Sequence, residues 1–158
     1  MIETPRGSAL KFHYDTSSRF FSLKKILPAG MMFPYDFGFV PGTRGDDGDP
    51  LDILVISEFS CFPGCMIDCR IIGGFKAEQS EKGSRTKPIR NDRFFAVPVL
   101  SVVFAKIKRL NDLPGVIVEE IEKFFIQYNS LEGKVFKILG KINPEKALES
   151  VTVNSMNS

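Results

Sequence analysis

The spacing of apolar and polar residues predicts a chain built mainly from short β-strands. Over 8–15 apolar side chains alternate with polar ones, as in a strand with one buried face, and 19–27 resumes this pattern after a turn. The run 51–56 is almost continuously apolar, which is typical of a buried strand. The predicted strands are 8–15, 19–27, 51–56, 65–76 with a bend at Gly73–Gly74, 94–97 and 133–140. Between them, 31–42 is predicted to be a packed loop with a short strand, and 77–92 an exposed hairpin loop from which 94–97 returns.

Helical spacing appears only late in the chain. The segment 111–114 (Asn-Asp-Leu-Pro) is a capped start with proline in the first turn, and apolar residues then recur at helical spacing up to Tyr128. A shorter helix is predicted to begin at 143–145, with a frayed tail after Val151. Many strands followed by helices, without βαβ alternation, favour a mostly β member of the α+β class. The architecture expected is a small antiparallel barrel with two flanking helices.

Composition indicates an ordinary globular chain. Its 158 residues fit one domain (1–158), with 43% apolar and 25% charged residues. A formal net charge of +2 is too small to indicate a nucleic-acid partner. No apolar run approaches the length of a membrane span, and the first residues lack the apolar core of a signal peptide. We therefore expect no membrane association.

Three cysteines, Cys61, Cys65 and Cys69, are too regularly spaced and too few to indicate a disulfide framework. Zinc would require closer cysteine pairs or nearby histidines, and the single histidine, His13, is distant in sequence. We expect reduced, mostly buried thiols, and cysteines that stay reduced suggest a cytoplasmic location. A cysteine or serine nucleophile with His13 as its base stays open, although no motif supports it.

An acidic run is the sharpest chemical feature of the sequence. Asp46-Asp47-Gly48-Asp49-Pro50-Leu51-Asp52 places four carboxylates within seven residues, at the entrance of an apolar strand. Carboxylates this close repel unless a cation neutralises them, and oxygen ligands suit Mg²⁺ or Mn²⁺. A solvated acidic turn would explain Asp46 but not Asp52, which lies inside the apolar strand. The spacing fits neither an EF-hand nor a glycine-rich nucleotide-binding loop.

The segment 47–52 resembles the Asp-x-Asp-Pro-x-Asp signature of the family I inorganic pyrophosphatases. Further segments are similar in the same order along the chain: 32–39, 62–64, 96–98, 111–114 and the Phe-Phe-x-x-Tyr of 124–128. The similarity extends from about residue 2 to about residue 148. It implies a five-stranded OB-like closed barrel with flanking helices. It also implies a homo-oligomer, with a hexamer favoured over a dimer or trimer.

The resemblance further implies an inorganic diphosphatase that hydrolyses pyrophosphate to two phosphates by Mg²⁺-activated water, with Mn²⁺ as an alternative ion. By position, Asp47, Asp49 and Asp52 would bind the metal ions, and Asp49 would also take the proton of the attacking water. Pyrophosphate and phosphate would be the partners. Residues at substrate-contacting positions are Glu3, Lys11, Lys25, Arg93, Tyr128 and Lys134.

Some positions depart from the family pattern. His13 replaces a second early glutamate, Lys25 replaces an arginine, Asn129 replaces a lysine, and Phe33 and Phe37 replace tyrosines. The family's acidic pair after the 65–76 strand has no clean match. The nearest candidates for further metal ligands are Glu78, Glu81 and Asp92, in an enlarged loop that also contains Asn91.

Two other functions remain as alternatives. The departures would fit a degenerate pyrophosphatase-like protein that binds phosphate compounds or partners without efficient turnover. An OB-type barrel would also fit a module for single-stranded nucleic acid. The acidic loop opposes this second alternative, because it would repel phosphates unless metal ions were bound.

Overall fold

Nine strands and two α-helices make up the part of the chain that the computed structural model describes, residues 1–156. The strands are β1 (Ile2–Thr4), β2 (Leu10–Asp15), β3 (Phe20–Ile26), β4 (Asp36–Phe39), β5 (Asp52–Val55), β6 (Cys69–Glu81), β7 (Ile89–Arg90), β8 (Arg93–Pro98) and β9 (Lys134–Ile142). The helices are α1 (Gly115–Ser130) and α2 (Pro144–Met156), with a 3-10 turn at Leu110–Asp112 before α1. No helix within these residues is both long and apolar enough to cross a membrane.

The strands form one seven-stranded sheet and a separate hairpin. The main sheet has the order β1-β4-β5-β8-β6-β7, with β9 also paired to β6, while β2 and β3 pair only with each other. The α+β, mostly β class with two helices is therefore confirmed. The sheet has more strands than the five that we expected. Since its pairing is an open path from β1 to β7, closure of the barrel stays a prediction.

Aromatic side chains build the core that supports the sheet. Phe75 and Phe95, both fully buried, meet edge to face with ring centroids 4.7 Å apart. Helix α1 packs Ile121 and Phe125 against the same cluster. Each such aromatic ring contributes roughly 2–3 kcal/mol through loss of apolar surface. The core thus fixes β8 and α1 relative to each other.

The segment 77–92 forms a hairpin, since β7 and β8 return antiparallel to β6, but the prediction that all of it is loop was wrong. Strand β6 continues to Glu81 because β9 pairs with its polar half, placing Glu78 opposite Lys137 and Glu81 opposite Lys134. Opposite charges on facing strands stabilise such a pairing without apolar alternation. The bend expected at Gly73–Gly74 is confirmed by a register shift between Ile71 and Gly73, where φ of Gly73 is +130°.

Three further differences concern the ends of the chain and the cysteines. Strand β1 was not predicted, because three residues carry too little periodicity. Helix α2 continues beyond Val151 to Met156, so the expected fraying does not begin there. The thiols are free as expected, but Cys61, Cys65 and Cys69 are half-buried rather than mostly buried.

Gly38 allows β1 to approach β4 closely. A Cβ atom there would lie 2.0 Å from the Met1 carbonyl oxygen and 2.9 Å from the Ile2 Cα. Both neighbours are backbone atoms and have little freedom to move. Strand β1 carries Glu3, which is buried. Gly38 therefore determines the position of that carboxylate.

We expect Gly38→Ala to destabilise the protein by about 1–3 kcal/mol, because the added methyl group overlaps the β1 backbone. Gly115→Ala is the matched control, since its Cβ would meet no atom within 4 Å. That variant should change the free energy of unfolding by less than about 1 kcal/mol. Urea denaturation of both variants measures the difference, and equal stabilities would contradict the steric account.

Candidate functional site

A cavity of about 480 Å³ collects most of the charged residues singled out by the sequence. Its acidic lining comes from β1, the loop before β5, β5 itself and the turn between α1 and β9, while its basic lining comes from β2, β3, β8 and β9. The acidic residues are Glu3, Asp47, Asp49, Asp52 and Glu132, and the basic residues are Lys11, Lys24, Lys25, Arg93 and Lys134. His13 and Tyr128 also line it. All nine catalytic, metal-binding or substrate-binding residues expected from the resemblance therefore meet here.

The loop carrying Asp47 and Asp49 is shaped by backbone contacts. Gly48 adopts φ of +89°, which favours glycine, and its N–H donates to the Gly45 carbonyl over 3.0 Å. The Asp49 N–H donates to Asp47 Oδ1 over 3.2 Å. Thr43 Oγ1 accepts from the Leu51 N–H and donates to the Val40 carbonyl, closing the loop at its base. Asp47 and Asp49 are exposed, and both face the open cavity.

Asp52 meets Arg93 because of the register of two parallel strands. Ile53 of β5 lies beside Phe94 of β8, so the residues that precede them are brought together. Arg93 Nη1 lies 2.5 Å from Asp52 Oδ2. The guanidinium is 5.5 Å from the centre of the Phe125 ring and 5.3 Å from that of Phe136. Packing against two rings holds the cation beside the Asp52 carboxylate.

Glu3 organises the second part of the acidic lining. Its Oε2 accepts from Lys11 Nζ over 2.9 Å, and its Oε1 accepts from the Tyr14 N–H over 2.8 Å. His13 Nδ1 lies 3.3 Å from the same Oε1. Lys11 Nζ also sits 4.1 Å from the centre of the Phe37 ring. Glu3 thus acts on the cavity mainly by orienting the β2 strand and its Lys11 ammonium.

Cations and Tyr128 form the opposite side of the cavity. Lys25 Nζ donates to Tyr128 Oη over 3.3 Å and forms an ion pair with Glu132. Lys134 Nζ lies 3.4 Å from the other oxygen of Glu132. Burial, with a further contribution from the Asp52 charge, raises the pKa of Tyr128 to about 12, so its hydroxyl stays a donor at neutral pH. Glu132 was missed by sequence reasoning, because it follows the helix in an unremarkable polar turn.

Two amides were also missed. Asn91 Nδ2 donates to Gln79 Oε1 over 3.2 Å, and Asn91 Oδ1 accepts from Arg93 Nη1. Both amides line the cavity next to the aspartates. No charge pattern marks them in the sequence, and Gln79 lies in the segment expected to be a loop.

The three further candidates for metal binding do not line the larger cavity, although one of them lines a neighbouring cavity. Glu78 faces Lys137, with 3.8 Å between Oε1 and Nζ, and Glu81 is exposed at the end of β6. Asp92 accepts from the Ala77 N–H over 2.9 Å and pairs with Arg90. It lines a second cavity of about 230 Å³ together with Asp46, and Asp47 and Asp52 line both cavities. The structure does not bring these three side chains into the larger cavity.

Three of the residues that replace family side chains, Phe33, Phe37 and Asn129, have structural roles. Phe33 is buried and packs 5.5 Å from Phe37, centre to centre. Asn129 Nδ2 donates to the Phe125 carbonyl over 2.8 Å and is buried. Phe37 lines the cavity with an apolar ring. These positions support the shape of the cavity without adding charge to it.

The Asp47 and Asp52 carboxylates are chemically suited to bind a divalent cation. Desolvation raises the pKa of Asp47, with a further contribution from the Asp49 charge, although the Asp49 N–H acts in the opposite direction. Desolvation also raises the pKa of Asp52, and the charges of Glu3 and Asp47 add to this, opposed by Arg93 and Lys11. Negative charge is thus incompletely compensated at both sites.

Within residues 1–156, no three His, Cys, Asp or Glu side chains converge closely enough to enclose a metal ion. Mg²⁺ commonly uses only one or two carboxylates, with water and substrate phosphates completing its shell. The donor set therefore fits magnesium bound together with a phosphate compound better than an all-protein cage.

Comparisons with known proteins agree with this site. Residues 1–157 match the family model described as inorganic pyrophosphatase. An inorganic pyrophosphatase of Synechocystis is 40% identical over 89% of this chain and 79% of its own length. One from Thermus thermophilus is 36% identical over 96% of this chain and 84% of its own. The crystal structure of an inorganic pyrophosphatase from Thermus thermophilus superposes with a TM-score of 0.88, covering 99% of this chain and 87% of that one.

The raised pKa of Asp47 predicts a pH-dependent effect of Asp47→Asn in metal-free protein. A carboxyl whose pKa is higher in the folded state contributes stability at low pH, and this is lost as the pH rises past its ordinary value of 3.8. Asn cannot ionise, so the variant should gain stability relative to the parent between pH 4 and pH 7. Urea denaturation in EDTA measures this difference.

Asp15→Asn is the control with the opposite sign. The hydroxyl and N–H of Ser17 lower the pKa of Asp15, so this variant should lose stability relative to the parent over the same pH range. A loss for Asp47→Asn as well would show that its carboxylate is well compensated without metal.

Proposed function

Because the chain belongs to the inorganic pyrophosphatase family, we propose that the larger cavity hydrolyses pyrophosphate to two phosphates. The observation that carries this proposal is the meeting of Asp47, Asp49 and Asp52 with five basic side chains around one cavity. A pyrophosphate anion requires positive charge around its oxygens, and the carboxylates supply a place for divalent cations. Phosphoryl transfer depends largely on such positioning and charge neutralisation.

The metal would be Mg²⁺, with Mn²⁺ as a substitute, held by Asp47, Asp49 and Asp52. When bound, these ions would neutralise phosphate charge and lower the pKa of a bound water molecule. The chain itself provides the oxygen donors for them. Thr43 and the left-handed Gly48 keep the Asp47 and Asp49 carboxylates on the cavity side of the loop.

The basic side chains would hold the substrate and the departing phosphate. Lys11, Lys25 and Lys134 enter from three different strands, and each is partly restrained by a carboxylate of Glu3 or Glu132. These ion pairs limit the freedom of the ammonium groups before substrate binds. Tyr128 offers a neutral hydroxyl donor next to Lys25. Charge-assisted hydrogen bonds from this set would orient both phosphoryl groups.

Asp49 would accept the proton of the attacking water. It is exposed to the cavity, and its backbone is fixed by the hydrogen bond to Asp47. Unlike Asp52, it has no ion pair with Arg93, so its oxygens are available for proton transfer. Glu3 and Asp52, which hold cations, are better suited to positioning.

Three further properties are part of the proposal. The cytoplasm would be the site of action, and the working form would be a homo-oligomer, with a hexamer favoured over a dimer or trimer. The sheet would close as an OB-like barrel.

Binding of phosphate compounds without turnover is a second candidate function, favoured by the two amides and by the engagement of Asp52 with Arg93.

We expect Asp49→Asn to lower kcat for Mg²⁺-dependent phosphate release by at least about 100-fold, because the amide cannot accept a proton. Asp46→Asn is the matched control in the same loop, since Asp46 does not line the larger cavity. It should keep near-parental kcat. A colorimetric phosphate assay with pyrophosphate makes the comparison.

A fully active Asp49→Asn variant would contradict the role given to Asp49. A parent protein that binds pyrophosphate with Mg²⁺ but releases no phosphate would instead select the second candidate function.

A further inference from the structure

The side of the cavity formed by β6 and β8 carries a fixed organic cation and two neutral amides. Arg93 is 8% exposed, and its guanidinium lies against two aromatic rings. Its Nη1 contacts Asp52, Asn91 and the Asp92 carbonyl. Its Nε is buried without a hydrogen-bond partner among the described residues. The guanidinium is therefore held in place by its packing against the rings and by the polar contacts of Nη1.

The amides leave little capacity for a metal ion on this side. The Asn91 oxygen is used by Arg93, and the Gln79 oxygen is used by the Asn91 NH₂ group. The remaining amide groups are N–H donors, which repel rather than ligate a cation. A neutral amide oxygen is also a weaker ligand for Mg²⁺ than a carboxylate. Of the carboxylates near this side, that of Asp92 is engaged by Arg90 and the Ala77 N–H and does not line the larger cavity, so Asp52 supplies the carboxylate here.

Arg93 partly compensates the charge of Asp52 from within the chain. Arginine stays protonated at any working pH, and this guanidinium is buried against the Phe125 and Phe136 rings. A divalent ion at Asp52 would sit close to this positive charge. Glu3 and Asp52 each pair with a basic side chain, so Asp47 and Asp49 would supply most of the negative charge for the metal ions, with Asp52 sharing an ion with them.

We infer that the Arg93 guanidinium supplies, on this side of the cavity, the positive charge that a divalent cation would otherwise supply. The Asn91–Gln79 amide pair orients this guanidinium. The chain would then bind fewer Mg²⁺ ions than the same cavity with carboxylates at positions 79 and 91. This inference rests on the proposed function, because it concerns the metal ions of that same cavity. It assigns to Arg93 the neutralisation of Asp52 and of the phosphate charge that approaches it.

Replacing the amides by their acids tests the inference directly. Asn91→Asp with Gln79→Glu preserves shape and places three carboxylates around one guanidinium. These three carboxylates would repel one another unless a cation binds between them. We expect this double variant to bind about one additional Mn²⁺ per chain without pyrophosphate, measured by electron paramagnetic resonance of free Mn²⁺. Its thermal midpoint should fall in EDTA and recover with Mn²⁺.

The matched control carries the same chemical changes outside the cavity. Asn111→Asp with Gln127→Glu adds two carboxylates at exposed positions. It should bind the parental number of Mn²⁺ ions and show no metal-dependent recovery. Should the double variant fail to fold even with Mn²⁺, Asn91→Asp alone decides the question by the same count.

An unchanged Mn²⁺ count in the amide-to-acid variants would overturn the inference. Phosphate release by the parent protein separates this result from the proposed function. A parent that hydrolyses pyrophosphate while the count stays unchanged refutes only the inference. A gained Mn²⁺ in a chain that never releases phosphate supports the inference and refutes the hydrolytic function.

Discussion

The pairing of Asp52 with Arg93 is the interaction on which the rest of the site depends. Asp52 is the first residue of a buried strand, so its carboxylate loses hydration when the sheet forms. Such a loss costs several kcal/mol unless an opposite charge compensates for it. The parallel register of β5 and β8 brings Arg93 to that carboxylate, and the Phe125 and Phe136 rings keep it there. The pairing of β5 with β8 therefore also determines how the charge of Asp52 is compensated.

Other charged groups are arranged around this pair by elements distant in sequence. Strand β1 brings Glu3, the β2–β3 hairpin brings Lys11 and Lys25, and β9 brings Lys134. Since each lysine contacts a carboxylate of Glu3 or Glu132, positive and negative groups alternate around the cavity. A diphosphate with its metal ions has the same alternation of charge. We propose on this basis that the cavity is complementary to that complex rather than to either ion alone.

Much of this site follows from local sequence. An Asp-Gly-Asp-Pro turn before an apolar strand indicates rigid carboxylates, and the helix ending at Tyr128 is evident from its periodicity. The features that the sequence did not predict depend on pairing between distant segments. The polar half of β6 forms a strand only because β9 supplies Lys134 and Lys137 opposite its glutamates. Gln79 and Asn91 are uncharged, and only the fold shows that they stand beside Arg93.

The central claim is that Asp47, Asp49 and Asp52 share divalent cations with a bound diphosphate. The most direct measurement is a crystal structure with Mn²⁺ and a non-hydrolysable diphosphate, in which anomalous scattering locates the metal ions. The account predicts Mn²⁺ peaks between these carboxylates and the diphosphate oxygens, with the Arg93 guanidinium still beside Asp52. A diphosphate held by the lysines alone, with no Mn²⁺ near the three aspartates, would contradict it.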